Sequence, residues 1–111
     1  MKVRITDELA QQIVDSAKVV VGWDVNFIDC HGQIMASTDD KRIGTYHKAG
    51  HAAARTGQVQ TVQDDRPTDG VSKGVNYPII MDGLVLGVVG ITGEPTVVGQ
   101  YGFLLTKICE V

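Results

Sequence analysis

Residues 74–93 read Gly74-Val75-Asn76-Tyr77-Pro78-Ile79-Ile80-Met81-Asp82-Gly83-Leu84-Val85-Leu86-Gly87-Val88-Val89-Gly90-Ile91-Thr92-Gly93, two apolar runs on either side of Asp82-Gly83. The tight turn that joins twisted antiparallel strands needs positive φ at both central residues. Asp-Gly supplies them, so Val75 to Met81 and Leu84 to Thr92 are expected to form a β-hairpin. The glycines of Gly87 to Gly93 lack the spacing of a dinucleotide loop and fall inside a β pattern, which argues against a phosphate cradle. Glycine within a strand marks a bulge or the close approach of another group, so Gly87 and Gly90 are expected to leave room for a ligand over the sheet. Pro78 cannot donate to a ladder and belongs at an edge or break. Asn76 beside it can present an amide to a ligand or close an Asx turn.

Outward from the hairpin, Gly93-Glu94-Pro95-Thr96 opens a last helix with Val97, Tyr101, Leu104, Leu105 and Ile108 on one face. Upstream, Gln63 to Gly74 is the longest loop, Val59 to Val62 a short strand, and Ala-rich Thr45 to Thr56 a helix ending before Gly57. Ile34 to Ser37 pairs with a strand in which Trp23, Val25 and Phe27 alternate with Asp24 and Asn26, and Thr38 to Arg42 is a loop. At the start, Thr6 caps a helix with Asp7 and Glu8 in its first turn and Gly22 as its stop. Its apolar stripe is either Leu9, Ile13 and Val20 or Ala10, Val14 and Ala17. This order implies an α+β fold, an antiparallel sheet of about five strands with flanking N- and C-terminal helices. Short helices and crossover loops are expected to cover one face of the sheet, with space between for a small ligand.

A length of 111 residues suits one domain, with 43% hydrophobic and 21% charged residues arguing against disorder. A formal charge of −3 is a poor footprint for neutralising phosphates, so direct nucleic-acid binding is not expected. The N-terminus lacks the apolar run of a signal peptide, and Leu84 to Ile91 is far too short to span a bilayer, so no membrane partner is expected. Cys30 and Cys109 lack Cys-x-x-Cys spacing and read as reduced thiols of a cytoplasmic protein.

Ser37, Thr38, Asp39, Arg42 and His47 gather where a loop enters a helix. The Arg fork suits a carboxylate, hydroxyls donate and accept, and a helix N-terminus near Thr45 offers amides to an anion. The set suits a polyhydroxylated acid; a solvated loop with one surface arginine pair is the plainer alternative. His47 and His51 stand at i and i+4, but Lys48 occupies the position of a metalloprotease glutamate and no third ligand is evident, so neither metal nor cofactor is expected. Cys30 next to His31 lacks a signal for nucleophilic catalysis.

Leu9-Ala10-Gln11-Gln12-Ile13-Val14-Asp15, Ala36-Ser37-Thr38-Asp39 with Arg42-Ile43-Gly44 and His47, Gly74 to Ile79, Gly87-Val88-Val89-Gly90-Ile91-Thr92-Gly93 and Tyr101-Gly102 together resemble the sugar-diacid recognition domain of bacterial carbohydrate diacid regulators. The similarity covers nearly the whole chain in the family's order. Two positions depart from it: Ala49-Gly50-His51 follows where Gly-Ala is usual, and Lys18 stands where a hydrophobic residue is common. The resemblance implies a PAS- or Cache-like ligand sensor, N-terminal to a helix-turn-helix region that this chain lacks. With the residue reading, it makes Ser37, Thr38, Arg42, Ile43, Gly44, His47, Asn76, Pro78 and Gly90 the expected ligand-binding set, for a sugar acid or dicarboxylate of the glucarate, galactarate or glycerate type. No catalytic residues are expected.

Two other readings compete. One is a small enzyme acting on a hydroxy acid, with His47 as base and Arg42 holding the carboxylate; the other is a ligand-free dimerisation module. A protonated His47 beside an anion would make affinity fall as pH rises from about 6 to 8. The apolar stripes of the two terminal helices exceed what a short sheet covers, which predicts a homodimer through them, the geometry that a two-half-site DNA-binding protein needs.

Overall fold

A computed structural model describes residues 5–110, excepting the side chains of Ile108 and Cys109. Helix α1 (Asp7–Val21) is followed by strands β1 (Val25–Ile28) and β2 (Ile34–Ser37), helix α2 (Lys48–Thr56) and strand β3 (Gln60–Val62). The hairpin β4 (Gly74–Met81) and β5 (Leu84–Thr92) comes next, and helix α3 (Pro95–Cys109) closes the order. The strands form one antiparallel sheet in the order β2-β1-β5-β4-β3. Asp82 and Gly83 take the positive φ expected of them, 52° and 76°. Because β4 and β5 are also the longest strands, the hairpin forms the spine on which β1 and β3 pair.

Helices α1 and α3 pack on one face. Thr6 caps α1 by accepting from the Leu9 amide at 3.1 Å, and Gly22 ends it in the left-handed region. Of the two stripes open in the sequence, the fold buries Ala10, Val14 and Ala17, continued by Val21, against Val25, Phe27, Val89 and Ile91. Leu9 is 45% and Val20 78% exposed. In α3 the buried face is Val98, Gly102 and Thr106 with Tyr101 and Leu105 half-buried, whereas Val97 and Leu104 of the expected stripe point outward. The side chain of Ile108 lies outside the described residues. Helical phase accounts for the shift, since Gly102 lets α3 sit against the Tyr77 ring, where any Cβ would collide. Each fully buried Val, Ile or Phe on this face contributes about 1.5–3 kcal/mol by leaving water.

The opposite face is covered too, which the sequence reading did not anticipate. Helix α2 lies there, so close that a Cβ on Gly50 would stand 2.5 Å from Ile28 Cδ1. All four residues of β1 are buried, including Asn26, which alternation placed outward. The apolar part of this face is small: Ile28, Ile34, Ala53 and Val88.

Residues 45–47, expected to begin α2, instead run with Gly44 along the outer side of the start of β2. Gly44 donates to Ile34 O at 2.8 Å, Ile34 to Thr45 O at 2.9 Å and His47 to Gly32 O at 2.7 Å. At the other edge, β3 pairs only with Gly74 to Asn76, leaving the rest of β4 without an outer strand. Pro78 falls in that uncovered stretch, as a residue without an N–H should, and the Ile80 N–H donates to the Glu110 carboxylate at 3.0 Å. The long loop before β4 holds a short turn, Pro67–Asp69.

Candidate functional site

The register of the sheet puts five residues in one transverse line. Ser37 on β2 pairs with Asn26 on β1, Asn26 with Gly90 on β5, Gly90 with Asn76 on β4, and Asn76 with Gln60 on β3. Directly paired residues project to the same side of a sheet, so this is a polar row, on the face that carries α2. It is deeply buried, with Ser37, Asn26 and Asn76 at 0%, 2% and 3% exposure. The Ser37 hydroxyl accepts from the Asp39 amide at 3.0 Å and donates to Asn26 Oδ1 at 2.6 Å. Asn76 Nδ2 donates to the Gln60 carbonyl at 3.3 Å. Gly90 does leave space, but its first occupant is the protein: a Cβ there would meet Asn76 Oδ1 at 2.6 Å. At Gly87 the space belongs to the Phe27 ring, 2.7 Å from a built Cβ, rather than to a ligand.

Arg42 and His47 lie on the loop between β2 and α2, which leaves the sheet just after Ser37. The Arg42 guanidinium is half-buried and donates to Gly70 O at 2.9 Å. Among the described residues it has no carboxylate within ion-pair distance, which leaves the rest of its fork unused. Burial lowers its affinity for the proton, while the charges of Asp39, Asp24 and Asp65 act in the other direction. His47 is the N-cap of α2, its Nδ1 accepting from the Gly50 amide at 2.8 Å. The helix therefore starts at Lys48, not Thr45, and the histidine itself uses one of the amides that the sequence reading offered to an anion. Burial first, and then the neighbouring Arg42 charge, push the His47 pKa down to about 4. The imidazole is thus neutral near pH 7, with its proton on Nε2, and the expectation of a charged His47 does not hold for this arrangement.

The other expected residues divide. Thr38 is committed to the fold, since its hydroxyl accepts from the Val25 amide at 3.0 Å and donates to Asp24 at 2.9 Å. Lys18 also pairs with Asp24 at 2.8 Å, and that bond, ahead of the one from Thr38, holds the carboxyl below its ordinary range. Ile43 and Gly44 are exposed on the outside of β2. There they line a groove of about 790 Å³ with Thr6, Cys30, His31 and Leu86. That groove contains none of Ser37, Arg42, His47 and Asn76. His47 and His51 do not share a ligand, because His51 Nδ1 pairs with the Tyr46 hydroxyl at 2.6 Å. The Cys30 thiol donates to Val85 O at 3.2 Å, and burial, then Asp29, raise its pKa. Pro78 follows Asn76 by two positions and pairs with Val88. The sheet register thus aligns Ser37, Gly90 and Asn76 and adds Asn26, which the sequence reading missed, while Arg42 and His47 lie on the loop that follows β2, near enough for the Arg42 charge to act on the imidazole. The signal for Asn26 was an amide within an otherwise apolar strand.

A family model described as "Putative sugar diacid recognition" matches residues 5–111. A carbohydrate diacid regulator of Escherichia coli K12 is 33% identical over 106 residues, and the protein YsfB of Bacillus subtilis 34% over 105. The chain spans only 28% of the length of each of these two relatives. In fold it is similar to the sensor domain of the V. cholerae histidine kinase DctB, with TM-score 0.62 and 21% identity over 86% of this chain and 40% of that one. A methyl-accepting chemotaxis protein gives TM-score 0.62 at 18% identity, over 90% of this chain and 82% of that one. A GAF domain from an Acinetobacter phosphotransferase gives 0.58 at 10%, over 99% and 87%.

Proposed function

The chain belongs to the sugar diacid recognition family, and from that premise we propose that it is the ligand-sensing part of a longer cytoplasmic transcription regulator, binding a sugar diacid or related hydroxy acid over the polar row. The observation that carries this reading is a half-buried arginine whose fork is largely unused, on the loop that follows the buried polar row's Ser37. Arg42 takes a carboxylate bidentately, and the Nε2–H of His47 supplies a neutral donor. Occupancy is passed to a helix-turn-helix region elsewhere in the regulator, and DNA is contacted there, consistent with a net charge of −3 on this part.

The competing enzymatic reading needs His47 as a base. Its Nδ1 is engaged by the Gly50 amide and its Nε2 carries the proton, so the ring is set to donate, not to abstract. Titration of glucarate, galactarate, glycerate and unsubstituted dicarboxylates into the purified domain distinguishes the readings. A saturable rise in melting temperature without product is expected, worth about 2.7 kcal/mol at a hundredfold excess over Kd. A flat response to every acid defeats the proposal and favours the ligand-free dimerisation module, and turnover favours the enzyme.

We further propose that the sensor is a homodimer through its terminal helices. Helices α1 and α3 lie on the same face, with Trp23, just after α1, 5.8 Å from the Tyr101 ring of α3, and leave Val19, Val20, Val97, Phe103 and Leu104 exposed. Leu104 is 55% exposed, so Leu104→Glu leaves the core intact and tests association alone. Sedimentation at tens of micromolar should give a dimer for the unchanged chain and a monomer for the variant; a monomer in both cases removes the interface.

A further inference from the structure

The hydrogen bonds of the polar row run in one direction and are interrupted once. From β2, the Asp39 amide donates to Ser37 Oγ, and Ser37 donates to Asn26 Oδ1. At the other end Asn76 Nδ2 donates to the Gln60 carbonyl, which can only accept, and this orients the amide with Oδ1 toward Gly90. Asn26 Nδ2 and Asn76 Oδ1 have no partner among the described hydrogen bonds, although both residues are almost fully buried. No fully enclosed side-chain nitrogen or oxygen lacks a partner among the described residues, so these two atoms border accessible space. Gly90 is the residue between Asn26 and Asn76 in the sheet, and Asn76 Oδ1 leans over it, 2.6 Å from where a Cβ would stand, toward Asn26. The Asn26 and Asn76 backbones are two strand spacings, roughly 10 Å, apart, and the two amides make no hydrogen bond to each other, which leaves the donor and the acceptor open to a third group.

We propose that Asn26 and Asn76 form a hydroxyl-reading slot floored by Gly90, which distinguishes hydroxylated diacids from plain dicarboxylates. A hydroxyl is the group that fits, because it accepts from Asn26 Nδ2 and donates to Asn76 Oδ1 at once and completes the chain from Asp39 to Gln60. A carboxylate only accepts and would oppose the lone pairs of Asn76 Oδ1; a methylene would leave both amide atoms unpaired in a buried site. The slot rests on the diacid reading above and extends it: Arg42 takes the charge, and the asparagine pair reads a hydroxyl on the carbon chain between the carboxylates. A site that hydrogen-bonds a substrate hydroxyl rejects the analogue lacking it far more strongly than an apolar pocket rejects an added one.

Calorimetric titration with galactarate and with adipate, the same carbon chain without hydroxyls, tests the slot in the unchanged domain and in two variants. Asn26→Ala removes the donor. Gly90→Ala fills the floor, and its Cβ would displace only the tip of the Asn76 side chain, which keeps this variant folded if the first is not. The unchanged domain should prefer galactarate, and either variant should weaken galactarate by roughly tenfold while changing adipate by less than about twofold. Equal losses for both acids, or an unchanged ratio between them, would mean that a resident water fills the slot, and overturns the proposal. Failure of both acids to bind the unchanged domain overturns the diacid reading itself and the slot with it.

Discussion

Arg42→Ala should weaken galactarate and adipate alike by at least about 2 kcal/mol, roughly thirtyfold in Kd. The guanidinium is half-buried and its described partner is a neutral carbonyl, Gly70 O, so a bound carboxylate would meet a positive charge that is only weakly compensated. Low local polarity strengthens such a pair, and removing the cation leaves the ligand's charge desolvated without a partner. The same substitution also removes the bond to Gly70, a neutral acceptor, at a cost of about 1 kcal/mol to the loop. A modest fall in melting temperature should therefore accompany a large fall in affinity. Arg42→Lys keeps the charge but not the planar fork and should recover only part of the loss. Unchanged affinity in Arg42→Ala, measured by calorimetry, would take the carboxylate away from this residue.

His47 should dominate the acid sensitivity of the free domain. Its folded pKa of about 4 lies below the ordinary 6.5, because burial, and then Arg42, oppose the charged ring. Above pH 6.5 neither the folded nor the unfolded chain protonates it, and it carries no penalty. As pH falls from 6.5 toward 4, the unfolded chain takes up a proton that the folded one refuses, so stability drops across that window and levels off below it. At 1.36 kcal/mol per pKa unit the loss is on the order of 3 kcal/mol. Urea unfolding at a series of pH values should show a steep decline for the unchanged chain and a shallower one for His47→Gln. Parallel profiles would assign the sensitivity elsewhere. The same neutrality replaces the earlier expectation for binding: affinity for a diacid should stay nearly constant between pH 6 and 8.

Local signals made much of this molecule legible. Asp82-Gly83 fixes a hairpin by backbone sterics alone, and Thr6 with Asp7, Glu8 and Gly22 bounds a helix from both ends; such features need no knowledge of what packs above them. The errors share a cause, which is packing on the second face of the sheet. Asn26 alternates with Val25 and Phe27 and so reads as solvent-facing, whereas it is buried on the face that carries α2 and bonded to Ser37. His47 reads as a charged group in a helix, whereas pairing of residues 44–47 with β2 delays the helix by three positions and makes the imidazole its cap. Gly87 and Gly90 were rightly read as places of close approach, but a glycine does not say what approaches it.

The treatment of the two rims of the sheet governs how copies of this chain can meet. An open strand edge is a template on which another chain can grow, and proteins that leave one bare risk fibrillar aggregation. Here one rim is sealed by residues 44–47. The other is blunted by Pro78, which has no proton to give, and by the Glu110 carboxylate seated on the Ile80 amide. Strand addition is thereby discouraged at the start of β2 and along the part of β4 that β3 leaves uncovered. Because Glu110 follows the last turn of α3, the group that guards the rim also moors the end of that helix, so loosening the helix would expose the edge it protects.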